Sequence, residues 1–361
     1  MIFEFFLPRT CAAFADLAVW RETRNKFFSF KYISIFVQHD NRKSISLVLF
    51  LLFWSEAGIA FVESLINKLI NIASRPKAGT FFVMAKRVSI QGYEGSFHQI
   101  AAREFLGKDV EVIPCATFRE VIKIASTPKE SDGGFMAIEN SIAGSILPNY
   151  TLLQKSKLRI SGEIYLQIHQ NLMVNPGVQF KDIREVHSHP MALLQCMDYL
   201  EEHPAWKLVE SEDTALSAKY IHQHRHKHVA VVASSLAAEL YKLNMIAPKI
   251  QSNRNNYTRF LYVQPAQAEE EGHELNKASI NFHTDHSKGS LARVLARIAE
   301  GDINLSKLQS VPIPEEEWKY SFHADMEFNS IGQLNNVLES IRAMTESLNV
   351  LGIYKKGKTI Q

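Results

Sequence analysis

Cysteine is scarce in this chain of 361 residues: Cys11, Cys115 and Cys196 are the whole complement, and they lie far apart. No Cys-x-x-Cys pair occurs, which excludes a disulfide framework and a zinc knuckle and points to a reducing cytoplasm. An excess of either charge is also lacking. With 40 lysines and arginines against 38 aspartates and glutamates, the formal net charge of +2 gives no basis for a nucleic-acid or membrane-surface partner. The GxGxxG and P-loop patterns are absent, which argues against dinucleotide and nucleoside triphosphate chemistry. No metal-ligand set is evident. The one long apolar run, "LVLFLLFW" at Leu47–Trp54, is only about half of the ~20 residues a membrane-spanning helix needs.

The first 83 residues read differently from the rest. They are rich in Phe and Ile, hold neither a steady helical period nor strand alternation, and open with "MIFEFFLP" rather than a basic signal-peptide start. Three readings compete: an interfacial or membrane anchor, a small extra helical element, and a translated upstream stretch ahead of a start at Met84. The third is favoured, because clean strand–turn–helix text begins abruptly at "MAKRVSIQGYEGSF".

From Met84 onward strands alternate with helices. "RVSIQGY" leads into a helix capped by Ser96 and stopped by Gly107; "VEVIPC", "GGFMAIEN", "REVHS", "WKLVES" and "HVAVVAS" repeat the pattern. This predicts an α/β fold with mostly parallel sheets, the long β segment "LRISGEIYLQIHQNLMVN" carrying the chain between two lobes. A polar acidic linker at 266–276 separates a β-α-β-β-α-β run over 277–361, the ferredoxin-like plan, with its second helix placed at about Ile331–Leu348.

Four strand-to-helix turns, "GYEGSFH", "AIENSIAGS", "HSHPMA" and "ESEDTA", present hydroxyls and backbone N–H groups where an anionic ligand binds in such folds. In "NRNNYTRF" a hydroxyl and a guanidinium, Thr258 and Arg259, stand together where a strand begins. Alternation puts Thr258 and Phe260 on one face and Arg259 on the other, so the arginine returns to the same site only at a cleft edge. "HQHRHKH" (His222–His228) has i,i+4 histidine pairs but no carboxylate to complete a metal set, and reads as a solvated helix end. Cys196, among apolar neighbours in a helix, reads as core.

The stretch from Lys86 to about Gln264 resembles the catalytic domain of prephenate dehydratases: "AIENSIAG", "ISGE", "HSHPMALLQC" and "NNYTRF" fall in the family's order and spacing. "GSLARVLARIAEGDINLSKLQS" resembles an ACT domain. The resemblance implies a periplasmic-binding-protein-like, two-lobed catalytic domain at 84–265 and an ACT regulatory domain at 277–361. It implies decarboxylating dehydration of prephenate to phenylpyruvate with no cofactor or metal, in a cytoplasmic homodimer or homotetramer with phenylalanine as effector.

By the same resemblance Thr258, Arg259, Asn140, Ser141 and Ser188 form the catalytic set, and Ser96, Glu139, His189 and Phe260 the substrate-binding set. Arg259 either holds a substrate carboxylate or braces the turn that aims Thr258. Phe260 either packs on the substrate ring or completes the core. Ser96 and His98 stand where the family has Thr and Ser. Gly289, Ser290, Leu291, Asn304 and Leu305 match effector-binding segments, whereas Gln309 and Val311 replace the acid and arginine of the usual Glu-Ser-Arg-Pro. Residues 1–83 lack the long amphipathic helices of a fused chorismate mutase. The motifs leave two alternatives: an arogenate dehydratase, and a non-catalytic amino-acid sensor of the same fold.

Overall fold

The computed structural model describes residues 85–266, 274–285, 287–313 and 319–361, and the backbone of 19–25, 28–39 and 43–51. The chain divides into two compact units, Met1–Val83 and Met84–Gln361. In the first, β1 (Val19–Asn25), β2 (Phe28–His39) and β3 (Lys43–Leu51) form an antiparallel sheet in the order β1-β2-β3. The described part of this unit is therefore strand, not the helical element that was one expectation; aromatic and β-branched residues dominate β2, "FSFKYISIFVQH". The apolar run ends in β3 at Leu51, and its remainder lies outside the described residues. Among the described residues no helix is long and apolar enough to cross a membrane.

In the second unit, the first lobe is built from β4 (Arg87–Gln91), α1 (Phe97–Leu106), β5 (Glu111–Cys115), α2 (Phe118–Ala125), β6 (Gly133–Asn140), β7 (Gly144–Ser145), α3 (Leu147–Lys155) and β8 (Leu158–Gln167). The chain then passes to a second lobe. That lobe holds β9 (Asn171–Val174), β10 (Glu185–Ser188), α4 (Pro190–Gln195), α5 (Met197–Glu201), β11 (Lys207–Glu210), α6 (Thr214–His224), β12 (Val229–Ala233), α7 (Ser235–Leu240) and β13 (Asn244–Ala247). It returns to the first lobe as β14 (Tyr257–Pro265). The two crossings are tied to each other: Ile168 N–H donates to Asn256 O at 2.7 Å, and Ile250 N–H to Gln170 O at 2.8 Å.

The first-lobe sheet runs β8-β14-β6-β4-β5 and the second-lobe sheet β11-β10-β12-β9-β13. Both are mixed rather than mostly parallel. The strands that carry the chain between lobes, β8, β9 and β14, enter antiparallel, while β4, β5, β6 and β10, β11, β12 keep the parallel crossovers.

The C-terminal part is β15 (Lys277–His283), α8 (Ser290–Glu300), β16 (Asn304–Pro312), β17 (Tyr320–Glu327), α9 (Ile331–Arg342) and β18 (Ser347–Tyr354), with the antiparallel order β16-β17-β15-β18. The helix expected to reach Leu348 stops at Arg342, because Ser347 already pairs with His283 of β15; sheet pairing overrides the helical period there. Both helices cover one sheet face through Ile280, Phe282, Val294, Ile298, Met326 and Leu334. The other face, with Val311, Leu351 and Tyr354, lies on the first-lobe sheet against Ile138, Leu158, Ile160 and Leu261. The chain end returns as β19 (Thr359–Ile360), pairing parallel with β8 beside Tyr165 and Leu166.

This sheet-on-sheet contact is close enough to dictate glycine at one position. A Cβ on Gly352 would overlap the backbone carbonyl of Ile160, an atom fixed in β8. Gly352→Ala is expected to lower stability by about 1–3 kcal/mol, as overpacking does, measured as a reduced urea midpoint. An unchanged midpoint would contradict the packing described.

Candidate active site

Strands β6 and β14 lie side by side with Thr258 opposite Asn140 and Arg259 opposite Glu139. Because side chains alternate across a strand, each pair faces its own side of the sheet. Thr258 and Asn140 sit at the edge where both lobe crossings meet. Asn140 Nδ2 donates to Thr258 Oγ1 at 3.0 Å and to Asn256 Oδ1 at 2.7 Å. Its Oδ1 accepts from the N–H groups of Ile142 (3.0 Å) and Ala143 (2.8 Å), wrapping the β6–β7 turn around the amide. Ser141 closes the same knot: its Oγ donates to Asn255 O and accepts from Tyr257 N–H, both at 2.9 Å.

An amide nitrogen only donates, so Thr258 Oγ1 is the acceptor and the threonine proton stays available for another oxygen. Asn256 is fully buried, and its Nδ2 is a donor without a protein acceptor. The "NN" preceding Thr258 was visible in the sequence, but nothing in a single sequence separates a buried amide that holds a site from a solvated loop residue.

Ser96 caps α1 and accepts from Gln99 N–H at 3.4 Å, while Gln99 Oε1 accepts from Gly95 N–H at 2.7 Å. Gln99 thus ties down the residue before the cap, while Ser96 N–H donates to Tyr93 O at 3.0 Å. His98 does not enter the cleft. It is buried, its Nε2 accepts from Ala137 N–H at 3.3 Å, and its ring meets Phe260 edge-on at 4.9 Å. Burial pushes its pKa down to about 3, so the ring is neutral with its proton on Nδ1. Phe260, 1% exposed among Ile90, Ala101, Phe135 and Ile164, is core. Of its two expected roles, this burial matches the one in the core.

In the second lobe Ser188 is buried and donates to Val232 O at 2.6 Å. The exposed His189 caps α4: its Nδ1 accepts from Met191 N–H at 3.2 Å, which assigns the ring proton to Nε2 and leaves that N–H as a donor. No hydrogen bond among the described residues joins Ser188 or His189 to the Asn140–Thr258 knot. The lobes instead meet through the first turn. Tyr93 OH donates to Glu212 at 3.0 Å, Tyr241 OH to Glu94 O at 2.8 Å, and Ser234 to Gly95 O. Gly95 has φ +90°, and a Cβ there would stand 2.9 Å from Ala237 Cα, so this contact requires glycine on both counts.

Arg259 and Glu139 lie on the sheet face opposite to Thr258 and Asn140, which is the bracing alternative for Arg259. The Arg259 guanidinium is 5% exposed beneath the C-terminal sheet. Its Nε and Nη2 reach Glu163 Oε2 at 2.7 and 2.6 Å, its Nη1 pairs with Asp325, and its Nη2 donates to Tyr354 OH at 3.2 Å. Lys277 Nζ adds bonds to Glu163 at 2.8 Å and to Tyr165 OH at 3.1 Å, and Ser279 donates to Asp325. Two cations thus balance two carboxylates in a buried interface. Burial alone would raise the Asp325 carboxyl, but Arg259 and Lys277 outweigh it and hold the pKa below the ordinary value. Burial opposes the charge on Arg259, yet Asp325, Tyr354 and Glu163 drive its pKa well above the usual value. Glu139 binds Lys307 Nζ at 2.6 Å. Glu163 lay within the recognised "ISGE", and Lys277, Lys307 and Asp325 within the C-terminal strands; their polarity on buried strand faces was the available signal.

Among the effector-segment candidates, Gly289 takes φ +78° ahead of α8, and Ser290 donates to Asp285 O at 2.9 Å. Leu291 and Leu305 pack on the helix-side core, and Asn304 is exposed at the start of β16. Gln309 donates to Ser310 O, and Val311 is buried in the apolar contact between the sheets. Among the described residues no group of three or more potential metal ligands occurs, the His222–His228 run included.

The prephenate dehydratase family model matches residues 88–268. The arogenate dehydratase/prephenate dehydratase 2, chloroplastic, of Arabidopsis thaliana is 34% identical over 76% of this chain and 74% of its own length. The solved prephenate dehydratase from Arthrobacter aurescens in complex with L-Phe aligns with a TM-score of 0.67 and 26% identity, over 74% of this chain and 89% of that one. A solved structure described as a quorum-quenching acylase aligns with a TM-score of 0.69 and 26% identity, over 75% and 98%.

Removing one member of the buried charge set strands its partners. Glu163→Ala is expected to cost about 3–5 kcal/mol in urea unfolding, as for other broken buried pairs; a loss below about 1 kcal/mol would contradict the burial. Acid should act through the histidines. His98 and His323, the latter also lowered by burial, to about 4, stay neutral when folded and take up protons from about pH 6.5 downward when unfolded. Stability therefore falls as pH drops below 6.5, at about 1.4 kcal/mol per pH unit for each ring, until the folded values are reached. Asp325 adds a further loss below the ordinary carboxylate range. Equal urea midpoints at pH 7 and pH 5 would contradict this.

Proposed function

Because the chain belongs to the prephenate dehydratase family, we propose that this dehydratase converts prephenate to phenylpyruvate, water and CO2 in phenylalanine biosynthesis. In this reading residues 84–265 are the catalytic domain and 277–361 an ACT domain through which phenylalanine regulates a homodimer or homotetramer. The observation that carries the chemistry is the Asn140-to-Thr258 hydrogen bond, which fixes the threonine oxygen as acceptor and frees its proton at the cleft edge.

In the reaction the ring C–CO2 bond breaks, its electron pair enters the ring, and the allylic C–OH bond breaks as the ring becomes aromatic. The departing oxygen takes a proton and leaves as water. Thr258, polarised by the Asn140 amide, donates a hydrogen bond to that oxygen as negative charge develops on it. A threonine hydroxyl is too weak an acid to be the final proton source at neutral pH, so its task is to position and stabilise. Asn256 Nδ2 is a second donor beside it.

An Arg259 committed to Glu163 and Asp325 suits this chemistry. A carboxylate destined to depart as neutral CO2 is slowed by a cation that binds it more strongly than the transition state. The side-chain carboxylate, which persists into the product, falls to neutral donors, the Ser96 hydroxyl and the His189 Nε2–H.

Arogenate differs from prephenate only in carrying an amino group in place of the side-chain ketone, and the Arabidopsis relative is named for both activities. A non-catalytic sensor would have no use for a freed threonine proton. An acylase reading gains nothing from three described candidates for a nucleophile: Ser188 commits its proton to Val232 O, and burial pushes the thiols of Cys115 and Cys196 up to about 11 and 12.

Purified protein incubated with prephenate should generate phenylpyruvate, read by its absorbance in alkali, with arogenate run in parallel for phenylalanine. No product from either would end the enzyme reading. Thr258→Ala should lower kcat by roughly a hundredfold or more, the scale of losing one transition-state donor, with the unfolding midpoint nearly unchanged. Added phenylalanine should alter the wild-type rate.

A further inference from the structure

Beneath the Asn140–Thr258 pair lies a second pair, Glu139 and Arg259, opposite each other on β6 and β14. Above these, on the C-terminal sheet, Lys307 and Asp325 are opposite each other on β16 and β17. The two pairs are matched: Lys307 binds Glu139 at 2.6 Å, and Asp325 binds Arg259. The roles within them differ. Asp325 belongs to a closed, fully buried set of two cations and two carboxylates, which reads as structural. Lys307 is half-buried and also donates to Ser145 Oγ at 2.8 Å.

Glu139 and Ser145 are opposite each other across the β6–β7 hairpin, whose turn carries Asn140, Ser141, Ile142 and Ala143. One ammonium group therefore bridges both legs of the hairpin that aims Asn140 at Thr258. We propose that Lys307 is a positioning residue for the cleft, clamping this hairpin from the C-terminal domain.

The proposal rests on the catalytic reading of Thr258 and Asn140 and goes beyond it by making the second domain set their geometry. It also gives that domain a short route to the cleft. Lys307 stands two residues after Leu305, and Ser306 between them is the irregular residue where the β16–β17 register shifts. A ligand that rearranges Asn304 and Leu305 moves the backbone from which Lys307 reaches the hairpin. A polar contact across a domain boundary also has a plain alternative, that it merely holds the domains together. The two roles separate experimentally, because a clamp shows in local exchange and kcat whereas adhesion shows in the unfolding midpoint.

Lys307→Met keeps the stem and removes both bonds. The expected result is faster hydrogen exchange at residues 141–143, whose amides the knot protects, with the unfolding midpoint close to wild type. With prephenate, kcat should fall roughly tenfold and KM by less than about twofold, as for a group acting on geometry rather than on binding. Lys307→Arg should recover most of the rate, and Lys307→Met should lose its rate response to phenylalanine.

Wild-type exchange at 141–143 in Lys307→Met would overturn the clamp whatever the kinetics. Faster exchange with unchanged kcat would overturn its positioning role, and a loss of rate that follows a loss of stability would assign it to domain adhesion. The exchange measurement needs no substrate, so it stands even if wild-type protein leaves prephenate untouched and the catalytic reading falls.

Discussion

The structure turns on one register: Asn140–Glu139 of β6 against Thr258–Arg259 of β14. Adjacent residues on a strand face opposite ways, so one step along each chain separates a hydroxyl–amide pair at the cleft from a carboxylate–guanidinium pair under the second domain. A slip of one residue would exchange the two faces, burying Thr258 among charges and placing a bare guanidinium at the cleft. Each side holds the other in place. The knot of Asn140, Ser141, Asn256 and Thr258 fixes the strand ends from one face, and the Arg259–Glu163–Asp325–Lys277 set fixes them from the other.

That arrangement explains why the C-terminal sheet presents so polar a face to a protein interior. Buried ion pairs give little net stability compared with apolar replacements, but they tolerate few alternative alignments. Here Lys277, Ser279, Asp325 and Tyr354 leave the sheet one way to sit over Arg259 and Glu163. The surrounding apolar contacts of Val311, Leu351 and Tyr354 supply adhesion. Val311 stands where the family's motif has an arginine, and in this interface it meets hydrocarbon. The second lobe takes no part in this network; its ties to the first lobe are the two crossings and the first-turn contacts around Gly95.

Much of this was legible in the residues. The strand–helix alternation, the cap at Ser96, the bounds of β6 and the ferredoxin-like order of the C-terminal part all follow from local pattern. Alternation alone also placed Thr258 and Arg259 on opposite faces. What one sequence does not contain is the identity of the partner on each face. Arg259 kept two readings, substrate clamp or brace, because its acids, Glu163 and Asp325, lie 96 and 66 residues away. The sequence left the places of His98 and Phe260 open, because a polar or aromatic side chain next to a motif gives no sign of whether it points into a core. The return of β14 between β8 and β6 is likewise a long-range pairing, which local periodicity leaves open.

The decisive point is the side of the sheet from which Arg259 acts. Arg259→Lys keeps the positive charge but removes the forked contact with Glu163, Asp325 and Tyr354. Steady-state kinetics with prephenate, measured beside urea unfolding of the same variant, test this directly. The expected result is a clear loss of stability with KM within about twofold of wild type. A KM raised a hundredfold or more, in a variant as stable as wild type, would place Arg259 on the substrate and contradict the account.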